Sequence, residues 1–428
     1  MKYTTGTCNI FSNKRRSFMS KGILLIADGL GDRPIAKLGF KTPLEVADIP
    51  NIDKFAKEGI CGQLDTIGVG IRAGSDTAHI SLLGYDPYTY YTGRGPFEAA
   101  GIGMDVKKGD IAFRCNFSTV DDNMVIVDRR ADRISEGTNI LAKAVNGMKI
   151  GDIEVLFKES VAHRGALILR GPNLGADITD TDPHHENAGV MEAKAVDPND
   201  EASARTAYAV NEFVKRSYEI LKDISVNKER IAAGLNPANI ILPRGGGIGP
   251  NMAPFEEKYG IKGACVSETG LINGVAKYVG MTVFETPEAT GGYDTDTIAM
   301  AKNIIKALDD HDFVLCNVKA ADVAGHDAMP QGKIDMLAKL DAMVKYLMEN
   351  VPEKTFITFT ADHSTPCVLM DHSGDPVAIA IWGDGVRVDD VVKYSERDCA
   401  KGGLSRIKGT DILPIMTNLM NIQEKFGA

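Results

Sequence analysis

The sequence predicts an α/β protein with a mainly parallel sheet flanked by helices, plus a smaller inserted α+β domain. Three observations lead there. Short apolar runs rich in Ile, Val and Phe alternate with segments of helical character, the pattern of buried parallel strands and their crossovers. The chain has 428 residues, more than one ordinary core fills. Its texture also changes between residues 109 and 186.

Taken in order, residues 1–18 (MKYTTGTCNIFSNKRRSF) are polar and basic without an apolar core. They read as a loose N-terminal extension, not a secretory signal. A core region is expected over 19–108, opening on the strand ILLIA (Ile23 to Ala27). Within 109–186, DIAFRCNFSTVDDNMVIVDRR reads as a hairpin around an Asp-Asp-Asn turn. A helical patch near Asn139 to Asn146 and a strand in HRGALILRG follow, which together suggest a separate inserted domain. The core is expected to resume over 187–428. There NIIL (Asn239 to Leu242), FVLCNV (Phe313 to Val318), TFITFT (Thr355 to Thr360) and VAIAIW (Val377 to Trp382) read as buried strands. Ser203 to Leu221, Thr297 to Leu308 and Lys333 to Met348 read as helices. GRGPFEAAGIG lacks the spacing of a dinucleotide fingerprint, and GGGIGP after Arg244 reads as a glycine-rich turn.

Composition narrows the function. The net charge is −10, from 48 basic and 58 acidic residues. That balance argues against a nucleic-acid binder, which needs a basic face, but not against a small anionic substrate in a locally positive pocket. No apolar run reaches membrane-spanning length. The seven cysteines are scattered, odd in number and free of any C-x-x-C pair, as expected for reduced, buried thiols of a cytoplasmic protein.

The chemistry-bearing residues fall where the strands end. ILLIA runs into Asp28, FVLCNV is closely followed by Asp322, and TFITFTA ends at Asp362. The carboxyl ends of parallel strands share one edge of a sheet, where ligands bind, so three distant aspartates are placed to converge. One alone would more often be a turn or cap residue. Four of the eight histidines accompany the site: His326 four residues after Asp322, His363 beside Asp362, His372 in the next loop, and His79 four residues after Ser75. A lone histidine is usually a hydrogen-bonded bystander. D-x-x-x-H with an adjacent Asp-His and a third histidine nine residues on is a metal-ligand set. Mixed carboxylate and imidazole donors suit Mn²⁺ or Zn²⁺, and more loosely Co²⁺ or Mg²⁺.

Ser75, in RAGSDTAHISLLGYDP, is either a helix cap or a nucleophile. The two roles are compatible, and the charge count supports a pair of metals. Two divalent ions carry four positive charges; Asp28, Asp322 and Asp362 return three, and a deprotonated Ser75 the fourth. A helix starting there would also offer backbone N–H groups to a phosphoryl anion.

These residues resemble the alkaline phosphatase superfamily: ADG at Asp28, GSDTAHISLLGYDP at Ser75, DVAGH at Asp322, TADHS at Asp362 and DHSGDPV at His372. YYTGRGPFEAAGIGMD, TDPH at Asp182 and GGYDTD at Gly291 are similar to its archaeal-type cofactor-independent phosphoglycerate mutases, over nearly the whole chain from Met19. The resemblance implies an alkaline-phosphatase-like core built from both ends of the chain. It implies Ser75 as the phosphorylated nucleophile, Asp28, Ser75, Asp362 and His363 on one metal, and Asp322, His326 and His372 on the other. Mn²⁺ is the first choice, with Zn²⁺, Co²⁺ or Mg²⁺ as alternatives, and no 2,3-bisphosphoglycerate is required.

The resemblance further implies arginines, a lysine and histidines on the substrate's anionic groups. Candidates are Arg129, Arg130 and Arg133 in DRRADR, then His163, Arg164 and Arg170, and His184; Arg94, Arg244 and Lys319 are expected on the core side. A typical arginine is merely solvated. The implied reaction carries the phosphoryl group of 3-phosphoglycerate through Ser75 to the 2-hydroxyl, with glycerate held in a closed cleft. A hydrolase using the same site, a phosphotransferase acting on another small hydroxylated metabolite such as homoserine, and a metal-binding protein without catalysis are the rivals. The complete residue set disfavours the last.

Overall fold

The computed structural model describes residues 20–423 and 425–427. The expected 1–18 extension lies outside them. The strands are β1 (Lys21–Ala27), β2 (Ile60–Asp65), β3 (Ile111–Val120), β4 (Ile126–Asp128), β5 (Lys149–Ile150), β6 (Ile153–Glu159) and β7 (Arg164–Arg170). The others are β8 (Ile240–Ile248), β9 (Gly263–Ser267), β10 (Thr282–Val283), β11 (Phe313–Val318), β12 (Thr355–Thr360), β13 (Val377–Trp382) and β14 (Ser405–Lys408). They divide between two compact units: the chain through Thr89 together with the chain from Ala253, and Tyr90–Met252.

The first unit holds an eight-stranded sheet in the order β10-β9-β11-β1-β12-β13-β2-β14. Every neighbouring pair is parallel except the two made by β13. Ile23 of β1 lies between Val314 of β11 and Ile357 of β12. From Gly22 onward β1 is buried, as are all of β11 and β12, so helices must cover both faces. That is why these strands are continuous apolar runs rather than alternating ones.

The second unit is an antiparallel sheet in the order β4-β3-β7-β6-β5, with β8 also paired to β3. Phe117 meets Phe157 edge to face, with centroids 5.6 Å apart. A helix over Glu201–Leu221, capped by the Asp200 carboxylate at the amides of Ala202 and Ser203, presses Val210 and Phe213 into this core.

This unit extends beyond the expected 109–186 on both sides. The NIIL run and the Ser203–Leu221 helix, expected in the first sheet's domain, both belong here, and Arg94 and Arg244 come with them. The cause is strand pairing: Asn116 of β3 faces Leu242 of β8, and Ile111 faces Ile248. The glycines after Arg244 are strand, not turn. A Cβ on Gly246 would come within 2.6 Å of the Phe113 ring, and one on Gly247 within 2.8 Å of the Thr92 carbonyl. Small residues are needed there for close packing.

Six cysteines, Cys61, Cys115, Cys265, Cys316, Cys367 and Cys399, are buried free thiols. No described helix is long and apolar enough to cross a membrane.

Candidate active site

β11, β1 and β12 are neighbours in the first sheet and run in parallel, so their carboxyl ends open on one edge. Asp28 directly follows β1. Asp362 stands two residues beyond β12, and Asp322 lies in the helix Ala320–His326 that leaves β11. Asp28 and Asp362 have no exposed surface and Asp322 has 2%. Carboxylates buried together in this way are unfavourable unless cations neutralise them. Burial and the Asp362 charge push the Asp28 carboxyl up to about 7, against the pull of Lys319. Burial acts on Asp322 and Asp362 too, but Lys319 and His363 outweigh it and hold both below the ordinary range.

The imidazoles are oriented by their second nitrogens. His326 Nδ1 lies 2.9 Å from the Met370 carbonyl, and His372 Nδ1 lies 2.7 Å from that of Ala73. A carbonyl only accepts, so both rings carry a proton on Nδ1. Their Nε2 atoms then face Asp322 Oδ1 at 3.5 and 3.6 Å. Thr365 donates its hydroxyl to Asp322 Oδ1 at 2.7 Å and accepts from His363 Nδ1 at 3.0 Å. His363 Nε2 is thereby turned to Asp362 Oδ2 at 3.2 Å, Ser75 Oγ at 3.3 Å and Asp28 Oδ1 at 3.9 Å.

Nitrogen lone pairs aimed at carboxylate oxygens repel one another unless a cation lies between them. The carboxylates accordingly raise the pKa of His363 although burial opposes it. Asp362 Oδ2 is buried with no hydrogen-bond donor. Two sets of donor atoms each fall within 4.8 Å of one another: Asp322, His363 and His372, and Asp28, Asp362 and His363. Both suit a divalent ion by donor type. His363 stands in both sets, whereas the expected division placed it only with Asp28, Ser75 and Asp362. His326 lies outside both but shares Asp322 Oδ1 with His372.

Ser75 opens the helix Ser75–Leu82, with Gly74 as its cap. Thr77 Oγ1, not Ser75 Oγ, serves the Gly74 backbone. The serine hydroxyl is therefore not consumed as a helix cap. His79 is fully buried behind it, with Nδ1 2.7 Å from the Ser75 carbonyl and Nε2 3.1 Å from Asn317 Oδ1. Asn317 in turn donates to Asp28 Oδ2 at 3.0 Å. Lys319 bridges Asp322 Oδ2 at 2.6 Å and Asp28 Oδ1 at 3.0 Å. It thus belongs to the carboxylate group rather than to the arginines.

The arginines gather in the second unit. Burial, then Arg164, Arg130, Arg114 and Arg133, push the His163 ring down to about 4. Burial and the charges of Arg94, Arg244 and Arg164 press Arg114 down to about 10, against Glu98. The Nε atoms of Arg114 and Arg244 are buried without hydrogen-bond partners. Like charges crowded with donors unspent favour an incoming anion. Arg129 differs: its fork binds Asp182 twice, at 3.0 and 2.6 Å. Arg170 binds Asp110 the same way, at 3.0 and 2.7 Å. Arg244 Nη1 lies 3.2 Å from His184 Nδ1. In DRRADR, Ala131, Asp132 and Arg133 all have φ between 45 and 55°, a strained run stabilised by Asp128 accepting from the amides of Arg130 and Asp132.

Sequence reasoning missed Arg114, Asn317 and Thr365. Arg114 was detectable in principle as a charge inside the apolar strand IAFRCNF. Asn317 was likewise a polar residue in FVLCNV. Thr365 carried no signal.

The fold is that of an α/β enzyme, with acid and imidazole donors at the carboxyl edge of a mainly parallel sheet. The profile of the 2,3-bisphosphoglycerate-independent phosphoglycerate mutase family matches residues 56–227. A protein of that name from Methanosphaera stadtmanae is 56% identical over 411 residues, 95% of this chain and all of the relative. One from Methanocaldococcus jannaschii is 50% identical over 414 residues, 96% of this chain and all of the relative. The solved cofactor-independent phosphoglycerate mutase from Thermoplasma acidophilum is 36% identical with a TM-score of 0.71, covering 94% of this chain and all of its own. A solved protein from Pyrococcus horikoshii is 41% identical with a TM-score of 0.83, covering 96% and 100%. The chain belongs to the 2,3-bisphosphoglycerate-independent phosphoglycerate mutases.

Proposed function

We propose that this chain interconverts 3-phosphoglycerate and 2-phosphoglycerate through a phosphoserine at Ser75, without 2,3-bisphosphoglycerate. One observation carries the reading: Ser75 Oγ is uncommitted to a cap and stands 3.3 Å from His363 Nε2, beside buried carboxylates. Asp28, Ser75, Asp362 and His363 would hold one divalent ion, and Asp322, His326 and His372 a second, with Mn²⁺ the first choice. When bound, such ions neutralise phosphoryl oxygens and make a serine hydroxyl acidic enough to attack.

The chain's own residues supply the rest. The Ser75 Oγ–P bond forms as the bond from phosphorus to the C3 oxygen breaks, and the proton that the Ser75 hydroxyl loses ends on that oxygen. Glycerate then offers its 2-hydroxyl, whose oxygen bonds to phosphorus as the Ser75 Oγ–P bond breaks, and the hydroxyl proton returns to Ser75. Lys319, held as an ammonium because Asp28, Asp322 and Asp362 prevail over burial, adds positive charge beside Asp28. Arg114, Arg130, Arg133, Arg164 and Arg244, with His163 and His184, are assigned to the substrate's anionic and hydroxyl groups. Arg129 reaches that role only through Asp182. The buried thiols suit a reducing compartment such as the cytoplasm.

The test is a metal-supplemented assay on 3-phosphoglycerate, coupled to enolase, with inorganic phosphate followed in parallel. Formation of 2-phosphoglycerate with little free phosphate is the expected result. Free phosphate alone would make the protein a phosphatase. Neither product would direct the search to another small hydroxylated acceptor.

A further inference from the structure

We infer that Lys333 is a positioning residue for the metal-binding carboxylates, a built-in cation that locks the turn after β1 to the loop after β12. The inference rests on the metal reading above. Lys333 lies in the first turn of the helix Pro330–Asn350 and is fully buried. Three effects disfavour an ammonium there: lost hydration, the positive end of the helix, and the ordering of a long side chain. The surroundings offset them.

Around Nζ stand the carbonyls of Thr365 at 2.8 Å, Gly29 at 2.9 Å, Gly31 at 3.0 Å and Leu30 at 3.4 Å. Asp32 Oδ2 completes the group at 3.0 Å. Five oxygens around a donor with three hydrogens form a cage of the kind that holds a metal cation. Asp32 is itself anchored, accepting from the amides of Cys367 at 3.2 Å and Arg33 at 2.8 Å.

The carbonyls come from two segments. Gly29 to Gly31 directly follow Asp28, and Thr365 follows Asp362 by three residues and His363 by two. Without a cation between them, converging carbonyl oxygens repel and the segments part. The segments otherwise meet through the Thr365 amide on the Gly31 carbonyl at 3.0 Å, the Gly29 amide on Asp362 Oδ1 at 3.0 Å and the Cys367 amide on Asp32 at 3.2 Å. The join has no slack. A Cβ on Gly31 would collide with Ser364 Oγ, and one on Gly29, at φ +63°, would come within 2.6 Å of Asp322 Cβ. Displacement of either segment therefore moves Asp28 against Asp362, and ligand atoms need placement to about 0.5 Å.

The test compares wild type, Lys333→Met, and Asp32→Asn/Lys333→Met, which removes the counter-charge so that no lone carboxylate is left buried. Metal-stripped proteins are titrated with Mn²⁺ by calorimetry, alongside Tm, kcat and KM for 3-phosphoglycerate. The double variant is expected to fold, to bind Mn²⁺ at least about tenfold more weakly, and to lose kcat with KM within about twofold. A folded double variant with wild-type Mn²⁺ affinity would overturn the inference, because a purely structural lysine alters Tm alone. Failure of both variants to fold would also overturn it, by assigning Lys333 to global stability. Wild type that takes up no divalent ion would overturn the metal reading and this inference with it.

Discussion

Ser75 Oγ and His363 Nε2 lie 3.3 Å apart, although 288 positions separate the two residues in the chain. The hydroxyl faces an imidazole that also faces Asp28 and Asp362, and it makes no bond that helix capping would need. Ser75→Ala is therefore expected to reduce mutase turnover on the order of 10³-fold or more while Tm stays within a few degrees. Steady-state kinetics and thermal melting on the same preparation check both halves.

Thr365 connects the two donor sets, giving its proton to Asp322 and accepting one from His363. Thr365→Val keeps the shape and deletes both bonds. Mn²⁺ affinity should fall about 10–100-fold, the usual range for a group that orients a ligand. Calorimetric titration reads it directly.

Arg114 holds a buried Nε that makes no hydrogen bond and lies 3.9 Å from Glu98 Oε1, among other arginines. Arg114→Met should raise KM for 3-phosphoglycerate about 10–100-fold, matching the loss of one charge-assisted hydrogen-bond set. Initial rates over a wide substrate range give the KM. A variant with wild-type KM would remove Arg114 from the substrate's partners.

Arg129 should behave oppositely. Asp182 is 1% exposed and depends on the Arg129 fork. Arg129→Ala leaves that carboxylate with only the His184 amide at 2.9 Å and Arg244 Nε at 3.7 Å, and should cost about 1.5–3 kcal/mol of stability by urea unfolding. Adding Asp182→Asn should recover part of it.

His163 supplies a pH signature. Its folded pKa of about 4 lies below the ordinary value of 6.5. Between those values the unfolded chain binds a proton that the folded chain refuses. This contribution is thus complete above pH 6.5 and drains away as pH falls toward 4. Its full size is about 3 kcal/mol at most. Urea unfolding at pH 7, 5.5 and 4.5 should show wild type losing more stability than His163→Gln over that interval.

The three aspartates were legible because each follows a run of buried strand, and strand ends announce their edge of the sheet. The histidines were legible through their spacing from those acids. The orienting partners were not: Asn317 and Thr365 are ordinary polar residues whose role exists only once distant strands are paired. Nor was the sheet that each strand joins. NIIL and FVLCNV are alike as buried apolar runs, yet pairing with β3 carries one into the second unit. Arginine roles were equally hidden, since Arg129 finds Asp182 53 positions away.

The strand order β11-β1-β12 carries a temporal consequence. Asp28 is synthesised early, but Asn317, its hydrogen-bond partner on β11, follows 289 positions later. No local segment can prefigure the ligand cluster, because its members meet only through pairings of high sequence separation, which form slowly. A nascent chain that stops short of β12 carries Ser75 yet lacks Asp362, His363 and His372. On the proposed reading, tight metal uptake would mark the completion of folding, and topology alone would keep partly made chains from premature phosphoryl chemistry.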